Sequence, residues 1–227
     1  MKKTRLLLIL LIVSNISFAQ SQDEHPYSIG INMMSYKEVP KLQNEYRGGE
    51  MKYLPAYLSG VMIKFNDNQI SYRLSGSAFS KSDYSFINNC KNCEIVNGNF
   101  KDYQLGLGFE KNILYGVIQP FYGSDISYKR ITFEGTAFDI KSNSFLYDSY
   151  VEKSGAMLSP FIGVKANIFR ARFTISAEAG LDLMYTYEKE TKTDLADNQL
   201  SLNTFNRWGV FGKPLGLLSL QINLGNQ

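Results

Sequence analysis

Hydrophobic and polar residues alternate strictly over residues 171–188. The odd positions are apolar throughout, whereas the even positions include Arg172, Glu178 and Asp182. Because a strand sends successive side chains to opposite faces, this stretch predicts one apolar wall and one polar wall. It is longer than an ordinary strand of about five or six residues, and a tilted strand needs about 9 to 11 residues to cross a bilayer. The pattern therefore favours a membrane-spanning β-barrel.

Seven further stretches show the same period of two. One of them is less regular, because Leu58 interrupts the polar face of the stretch 53–65. Each stretch reads as a strand with one apolar face. The eight predicted strands cover residues 27–36, 53–65, 69–78, 102–110, 115–129, 155–169, 171–188 and 212–224.

The connections between these strands alternate between long and short. In an antiparallel up-and-down barrel, alternate connections emerge at the same end, so all the long ones lie at one rim. Outer-membrane barrels have this asymmetry, with short periplasmic turns and longer external loops. The sequence therefore predicts an all-β, eight-stranded antiparallel up-and-down transmembrane β-barrel with both chain ends in the periplasm. The long connections are residues 37–52, 81–99, 130–154 and 189–211, and the short ones are residues 66–68, residues 111–112 and Arg170.

Two of the predicted strands contain a Pro-aromatic-x-Gly pattern, in QPFYGSDISY and SPFIGVKANI. Together with the strand pattern of the whole mature chain, they resemble the small eight-stranded outer-membrane barrels of Gram-negative bacteria. This group includes proteins of the OmpA-transmembrane and OmpX kind and the related porin-like and PorT-like proteins. The resemblance implies an envelope protein inserted by the barrel assembly machinery, and it brings no catalytic motif with it.

The polar face of the predicted strands is expected to point into the lumen. It carries many glycines, which relieve crowding in a narrow barrel, while the other face carries bulky apolar side chains. Buried charges persist only when paired, so a balanced set predicts a salt-bridged plug and little or no steady conductance. A soluble lipocalin-like ligand-binding barrel alternates in the opposite sense and is the alternative fold. The charges of the polar face are Lys64, Arg73, Lys129, Lys165 and Arg172 against Asp102, Glu110, Asp125, Glu178 and Asp182.

The N-terminus has the pattern of a secretory signal peptide over residues 1–19. Basic residues precede an apolar run, and a small-x-small pattern closes it at Ala19. Residues 20–227 then form one barrel domain exported to the outer membrane. Removal of Lys2, Lys3 and Arg5 leaves 21 basic and 21 acidic residues from the 24 and 21 of the full chain. The mature chain is therefore neutral, and nothing in its charge indicates a nucleic-acid partner.

Few residues offer chemistry. Cys90 and Cys93 are spaced C-x-x-C in a long connection, and in an oxidising envelope such a pair reads first as a disulfide. A redox site is one alternative, but the strand-to-helix context that activates such a thiol pair is missing. A zinc site is the other alternative, but the sequence has no second pair of ligands for it. His25, the one histidine, precedes the first strand and lies at the wrong end for a Ser-His hydrolase. We therefore expect no enzyme activity, no catalytic residue, no metal and no cofactor.

The expected function is a structural or surface-interaction role through four external loops. A narrow pore for small solutes and a secretion-accessory barrel are the alternatives. The expected partners are outer-membrane lipid, the barrel assembly machinery and an unidentified extracellular ligand or secretion component, and the protein is expected to be a monomer. Aromatic residues near the strand ends, with Trp208 before the last strand, are expected to anchor at the membrane interfaces. These are Tyr27, Tyr36, Tyr57, Phe65, Tyr72, Phe109, Tyr128, Phe173, Tyr185 and Tyr187.

Overall fold

The computed structural model describes residues 25–49, 51–67, 70–169, 171–194 and 200–225. The predicted signal peptide lies outside the described residues, as do Asn68 and Arg170 of the predicted turns and Gln69 of the third predicted strand. No helix in the described ranges is long and apolar enough to cross a membrane. The strands are β1 Tyr27–Glu38, β2 Tyr53–Asp67, β3 Ile70–Asn88, β4 Glu94–Asn112, β5 Ile118–Asp139, β6 Phe145–Ile168, β7 Phe173–Asp194 and β8 Leu200–Leu224.

The eight strands close into one barrel. Each strand pairs in the antiparallel sense with the next one in the chain, and β8 pairs with β1 from Tyr27↔Leu224 to Met34↔Leu218. The predicted eight-stranded antiparallel up-and-down barrel is confirmed. The short connections lie at one end, which we call the turn end, and the long connections lie at the other.

The apolar face of the strands points outward near the turn end. Ile126 of β5 and Ile162 of β6 expose 67% and 68% of their surface, whereas Lys64 of β2 and Glu110 of β4 expose 2% and 1%. A soluble barrel with an apolar interior would show the opposite distribution. The part of the barrel near the turn end, which we call the lower barrel, is thus polar inside and apolar outside.

Three of the four long connections are mostly strand, so the prediction of four long loops is wrong. β3 and β4 continue to a turn at residues 89–93, β5 and β6 continue to a turn at residues 140–144, and β7 extends to Asp194. Of the four long connections, only the first is mostly not strand, and we call its residues 39–52, between β1 and β2, loop 1. The strands continue because the period of two continues, with apolar side chains now on the interior face.

The change of the interior face is clearest on β5. Gln119, Asp125 and Lys129 point inward near the turn end, and Ile131 and Phe133 occupy the same face further along the strand. The head, our name for described residues within 39–52, 79–100, 131–154 and 188–207, therefore has an apolar interior. Loop 1 folds into it. The head core consists of Val39, Leu42, Tyr84, Phe86, Val96, Phe100, Ile131, Phe133, Ala137 and Val151.

The irregularity at Leu58 is a β-bulge. Leu58 has a left-handed backbone with φ 47°, and the register between β1 and β2 shifts between Asn32 and Met34. Tyr57 and Leu58 consequently both face outward, with 65% and 69% of their surface exposed. A bulge inserts one extra residue and moves the alternation by one position.

Candidate functional site

The centre of the lumen is the guanidinium group of Arg73 on β3. Its Nη2 lies 2.6 Å from Oδ2 of Asp125, and its Nη1 lies 2.7 Å from Oε1 of Glu178. The guanidinium carbon is 4.0 Å from the ring centroid of Phe161. Gly108 pairs with both Arg73 and Asp125 in the sheet, and a Cβ atom there would collide with the Asp125 carboxylate. A glycine at this position therefore lets the carboxylate reach the guanidinium.

Glu110 on β4 joins this cluster to two lysines. Its carboxylate lies 2.6 Å from Nζ of Lys64, 3.2 Å from Nζ of Lys165 and 3.6 Å from Nη1 of Arg73. Arg and Lys side chains from three strands thus surround one buried carboxylate. This arrangement provides the opposite charge that a buried ion requires.

Further ion pairs fill the lumen toward the head. Asp102 lies 3.2 Å from Nζ of both Lys37 and Lys129, and Asp182 lies 2.7 Å from Nζ of Lys213. The structure therefore brings nine of the ten predicted lumen charges into the interior. They are Lys64, Arg73, Asp102, Glu110, Asp125, Lys129, Lys165, Glu178 and Asp182.

The prediction for Arg172 is wrong. Arg172 is an exposed residue of the turn before β7, which begins at Phe173. Its parity matches that of the lumen residues, but the strand has not yet started at this position. Parity assigns a face only where the backbone is extended.

The sequence reasoning missed four charged residues of the interior. Lys153 and Glu188 form a buried ion pair, 2.5 Å apart. Glu188 lies at an even position of β7, as Glu178 does, so alternation could have assigned it to the interior. Lys37 follows the bulge in β1, and Lys213 precedes a register shift between β7 and β8. A shift by one residue exchanges the two faces, so simple alternation places Lys37 incorrectly. Lys213 has the parity of the buried Ser219 and Gln221, so alternation could have placed it inward.

The head is packed around aromatic rings and loop 1. The Phe133 ring lies 5.3 Å from Phe86 and 6.2 Å from Tyr84, measured between ring centroids. Glu45 of loop 1 is buried and pairs with Arg47 at 2.8 Å. Burial, with the nearby Glu45 carboxylate, raises the pKa of Tyr84 to about 12. The head is thus a second packed layer above the charged lumen.

A partly buried polar cluster lies near the tip of the head. The Tyr147 hydroxyl donates to Glu94 Oε2 at 2.6 Å, and Asn88 Nδ2 donates to the Tyr147 hydroxyl at 2.9 Å. Burial raises the pKa of Tyr147, and its hydrogen bond to the Glu94 carboxylate raises it further. Gln43 donates to the Ser149 hydroxyl and so holds loop 1 against β6.

Cys90 and Cys93 are bonded to each other in the turn between β3 and β4. We expect non-reducing mass spectrometry of the purified protein to show a mass lower by two hydrogen atoms than that of the dithiol. Replacing both cysteines by serine is expected to cost at most about 2 kcal/mol of stability, because the disulfide closes a very short loop. Recovery of two alkylated cysteines without prior reduction would contradict the assignment.

Aromatic side chains surround the outward face in two belts. Trp208 of β8 is 74% exposed, and its ring lies 5.0 Å from that of Tyr185 on β7. Aromatic rings prefer the headgroup level of a membrane, so the belts bound an apolar band. The head-side belt contains Tyr57, Tyr103, Tyr128, Tyr185 and Trp208, and the turn-side belt contains Tyr27, Phe65, Tyr72, Phe109 and Phe173.

The head sheet has two edges, because the β1–β2 hairpin is shorter than its neighbours. The pairing of β2 with β3 ends at Gly60↔Ser77, and that of β1 with β8 ends at Met34↔Leu218. A cavity of about 320 Å³ lies beside β8 at the second of these gaps. Its apolar lining includes Val39, Pro40, Met51, Ile131, Met184, Val210 and Phe211.

The described residues contain no group of three or more His, Cys, Asp and Glu side chains arranged to hold a metal ion. His25 lies at the turn end, where its Nδ1 is 2.6 Å from the carbonyl oxygen of Gly225. These positions place the histidine far from the head along the strands.

Comparisons with known proteins give one weak structural likeness. No family model matches the sequence, and no curated protein is significantly similar to it. The structure resembles that of the ferric yersiniabactin uptake receptor FyuA from Yersinia pestis, with a TM-score of 0.38 and 12% sequence identity. The match covers 84% of this chain and 32% of the receptor, so the chain spans about a third of the receptor's length. A likeness of this size does not identify a function.

Proposed function

We propose that this protein is a non-conducting barrel of the outer membrane, similar to the OmpA and OmpX kind, that presents a rigid β-structured head at the cell surface. The apolar band contacts outer-membrane lipid, and the barrel assembly machinery inserts the exported chain. The protein acts as a monomer through contacts of its head and has no enzymatic activity. The apolar exterior between two aromatic belts and the signal-peptide pattern of residues 1–19 support the location.

The filled interior is the observation that carries this proposal. Arg73, Lys64 and Glu110 are each at least 95% buried in the lower barrel, and Phe133 and Leu42 are completely buried in the head. Charged pairs and then apolar side chains therefore occupy successive levels along the barrel axis. Eight strands enclose an interior that side chains can fill, whereas porins use about 16 to 18 strands to leave a channel.

We expect the purified protein to show no steady conductance in planar bilayers, because paired charges and then the packed head core occupy successive levels of the interior. A sixteen-stranded porin, reconstituted by the same procedure, is the positive control. Insertion is verified independently by protease protection of the reconstituted protein. A stable open pore of nanosiemens size would contradict the proposal and support the narrow-pore alternative.

Fractionation tests the location. The protein is expected in the outer-membrane fraction, and its gel mobility is expected to change on heating, because a closed barrel resists detergent until it is heated. Recovery from the aqueous periplasm would contradict membrane insertion. Co-purification with secretion components would favour the secretion-accessory alternative.

A further inference from the structure

One edge of β8 has no neighbouring strand, both in the head and for a few residues below it. β7 pairs along its other edge as far as Thr193↔Leu200, whereas β1 pairs with β8 only up to Leu218. The N–H of Gly212 points to the unpaired side, where it donates to Glu38 Oε2 at 2.8 Å. In an antiparallel strand the backbone N–H and C=O groups of one residue point to the same side, and successive residues alternate between the two sides. The N–H and C=O groups of every second residue from Val210 back to Leu200 therefore point to the unpaired side, as those of Gly212 do. In the described part of the chain no strand meets them, and we call residues 200–211 on this side the open edge.

The other edge of the head sheet, on β3, is protected. Backbone hydrogen bonds join it to loop 1, from Tyr46 N to Ile87 O at 2.8 Å and from Asn89 N to Asn44 O at 3.1 Å. A register shift with a left-handed Asp83, φ 55°, bends the edge further along. Bulges, charges and covering loops are the usual means by which proteins prevent strand addition.

The open edge has few of these protections. Residues 200–211 contain no proline, and Arg207 is their one charged residue. Their pairing with β7 runs without a register shift. Leu200 and Leu202 are 65% and 52% exposed. A long and regular edge with exposed leucines is a template for another strand.

We propose that the open edge binds an extended segment of another polypeptide, which adds to β8 as an antiparallel strand. This inference rests on the proposed function and names the surface through which the head acts. Only a peptide backbone matches a row of alternating N–H and C=O groups. A second copy inserted in the same membrane has its β8 running in the same direction, so it cannot pair antiparallel. The N-terminal strand of the chain itself begins beside Leu224, at the other end of β8.

The surroundings of the open edge define the chemistry of the segment. Gly209 and Arg207 lie on the same face of β8, and both line the cavity of about 320 Å³. Gly209 contributes no side chain, so a large apolar side chain opposite it enters the cavity between Met51, Met184 and Phe211. The residue two positions later on an antiparallel partner lies opposite Arg207. The segment is therefore a strand in which a large apolar residue is followed, two positions later, by Asp or Glu.

A labelled nine-residue peptide of alternating Thr and Val, carrying Phe and then Glu two positions later, tests the proposal. Its binding to the detergent-purified protein is measured by fluorescence anisotropy. We expect saturable binding that Thr204→Pro weakens about tenfold or more, because proline removes a donor from the open edge and leaves the β7 ladder intact. Thr204→Val keeps the donor and is the matched control. Arg207→Glu is expected to weaken binding, and a peptide with Lys in place of Glu is expected to restore it.

Absence of binding at about 1 mM peptide, or equal binding by Thr204→Pro, would overturn the inference. Cross-linked homodimers that disappear in Thr204→Pro would assign the edge to a second copy and also overturn it. The same preparations are assayed for conductance and for heat-modifiable mobility. A non-conducting, heat-modifiable barrel that binds no peptide refutes only the open-edge proposal. A conducting or soluble protein refutes the proposed function.

Discussion

Replacing Arg73 by methionine is expected to lower the free energy of unfolding by about 3 to 5 kcal/mol. The guanidinium is 95% buried and holds the carboxylates of Asp125 and Glu178 at 2.6 and 2.7 Å. Methionine fills much of the volume but leaves these acids without a counter-charge. Removing one partner of a buried pair is costly because the remaining charge stays out of water.

Urea unfolding of the refolded protein measures this effect, and the fluorescence of Trp208, the one tryptophan, reports it. Arg172→Met is the matched control, since Arg172 is exposed in a turn, and it is expected to change stability by less than about 0.5 kcal/mol. Adding Asp125→Asn and Glu178→Gln to Arg73→Met is expected to recover part of the loss. Equal effects of the Arg73 and Arg172 substitutions would contradict a buried network.

Replacing Phe133 by alanine is expected to destabilise the head by about 3 to 5 kcal/mol. Phe133 is completely buried, and its ring packs against those of Phe86 and Tyr84. The cavity left behind cannot be filled by side chains of the barrel below, because the next interior residues form the charged lumen. The loss therefore appears as local opening of the head and not as unfolding of the whole barrel.

Hydrogen exchange distinguishes these outcomes. Amides of residues 84–88 and 131–137 are expected to exchange at least about a hundredfold faster in Phe133→Ala, while those of residues 173–183 keep their protection. Leu202→Ala, which removes a side chain that is 52% exposed, is the control and is expected to leave the exchange of the head core unchanged. Uniform loss of protection along β5 would show that the head and the apolar band unfold together.

The period of two identified most of the lumen charges from the sequence. Each correctly placed residue lies on a regular part of a strand, where no bulge separates it from the rest of the pattern. Lys64, Arg73 and Glu178 needed nothing more than their parity. Lys37 lies beyond a register shift, so its inward orientation depends on the pairing of β1 with its neighbours. Arg172 shows the opposite error, since its parity was right but its backbone belongs to a turn.

The sequence by itself determined the strand number, the antiparallel order and the polar-in sense of the lower barrel, since these follow from local alternation and from the lengths of the connections. Only the tertiary structure decided that the long connections are strands, that loop 1 enters the head core and that β8 keeps an open edge. In the head the interior face becomes apolar and the outer face polar, and on β5 the change occurs between Lys129 and Ile131. From alternation alone, such a segment is predicted to be a polar loop. Which strand edges remain unpaired depends on the relative lengths of neighbours around a closed ring, and that is a property of the assembled barrel.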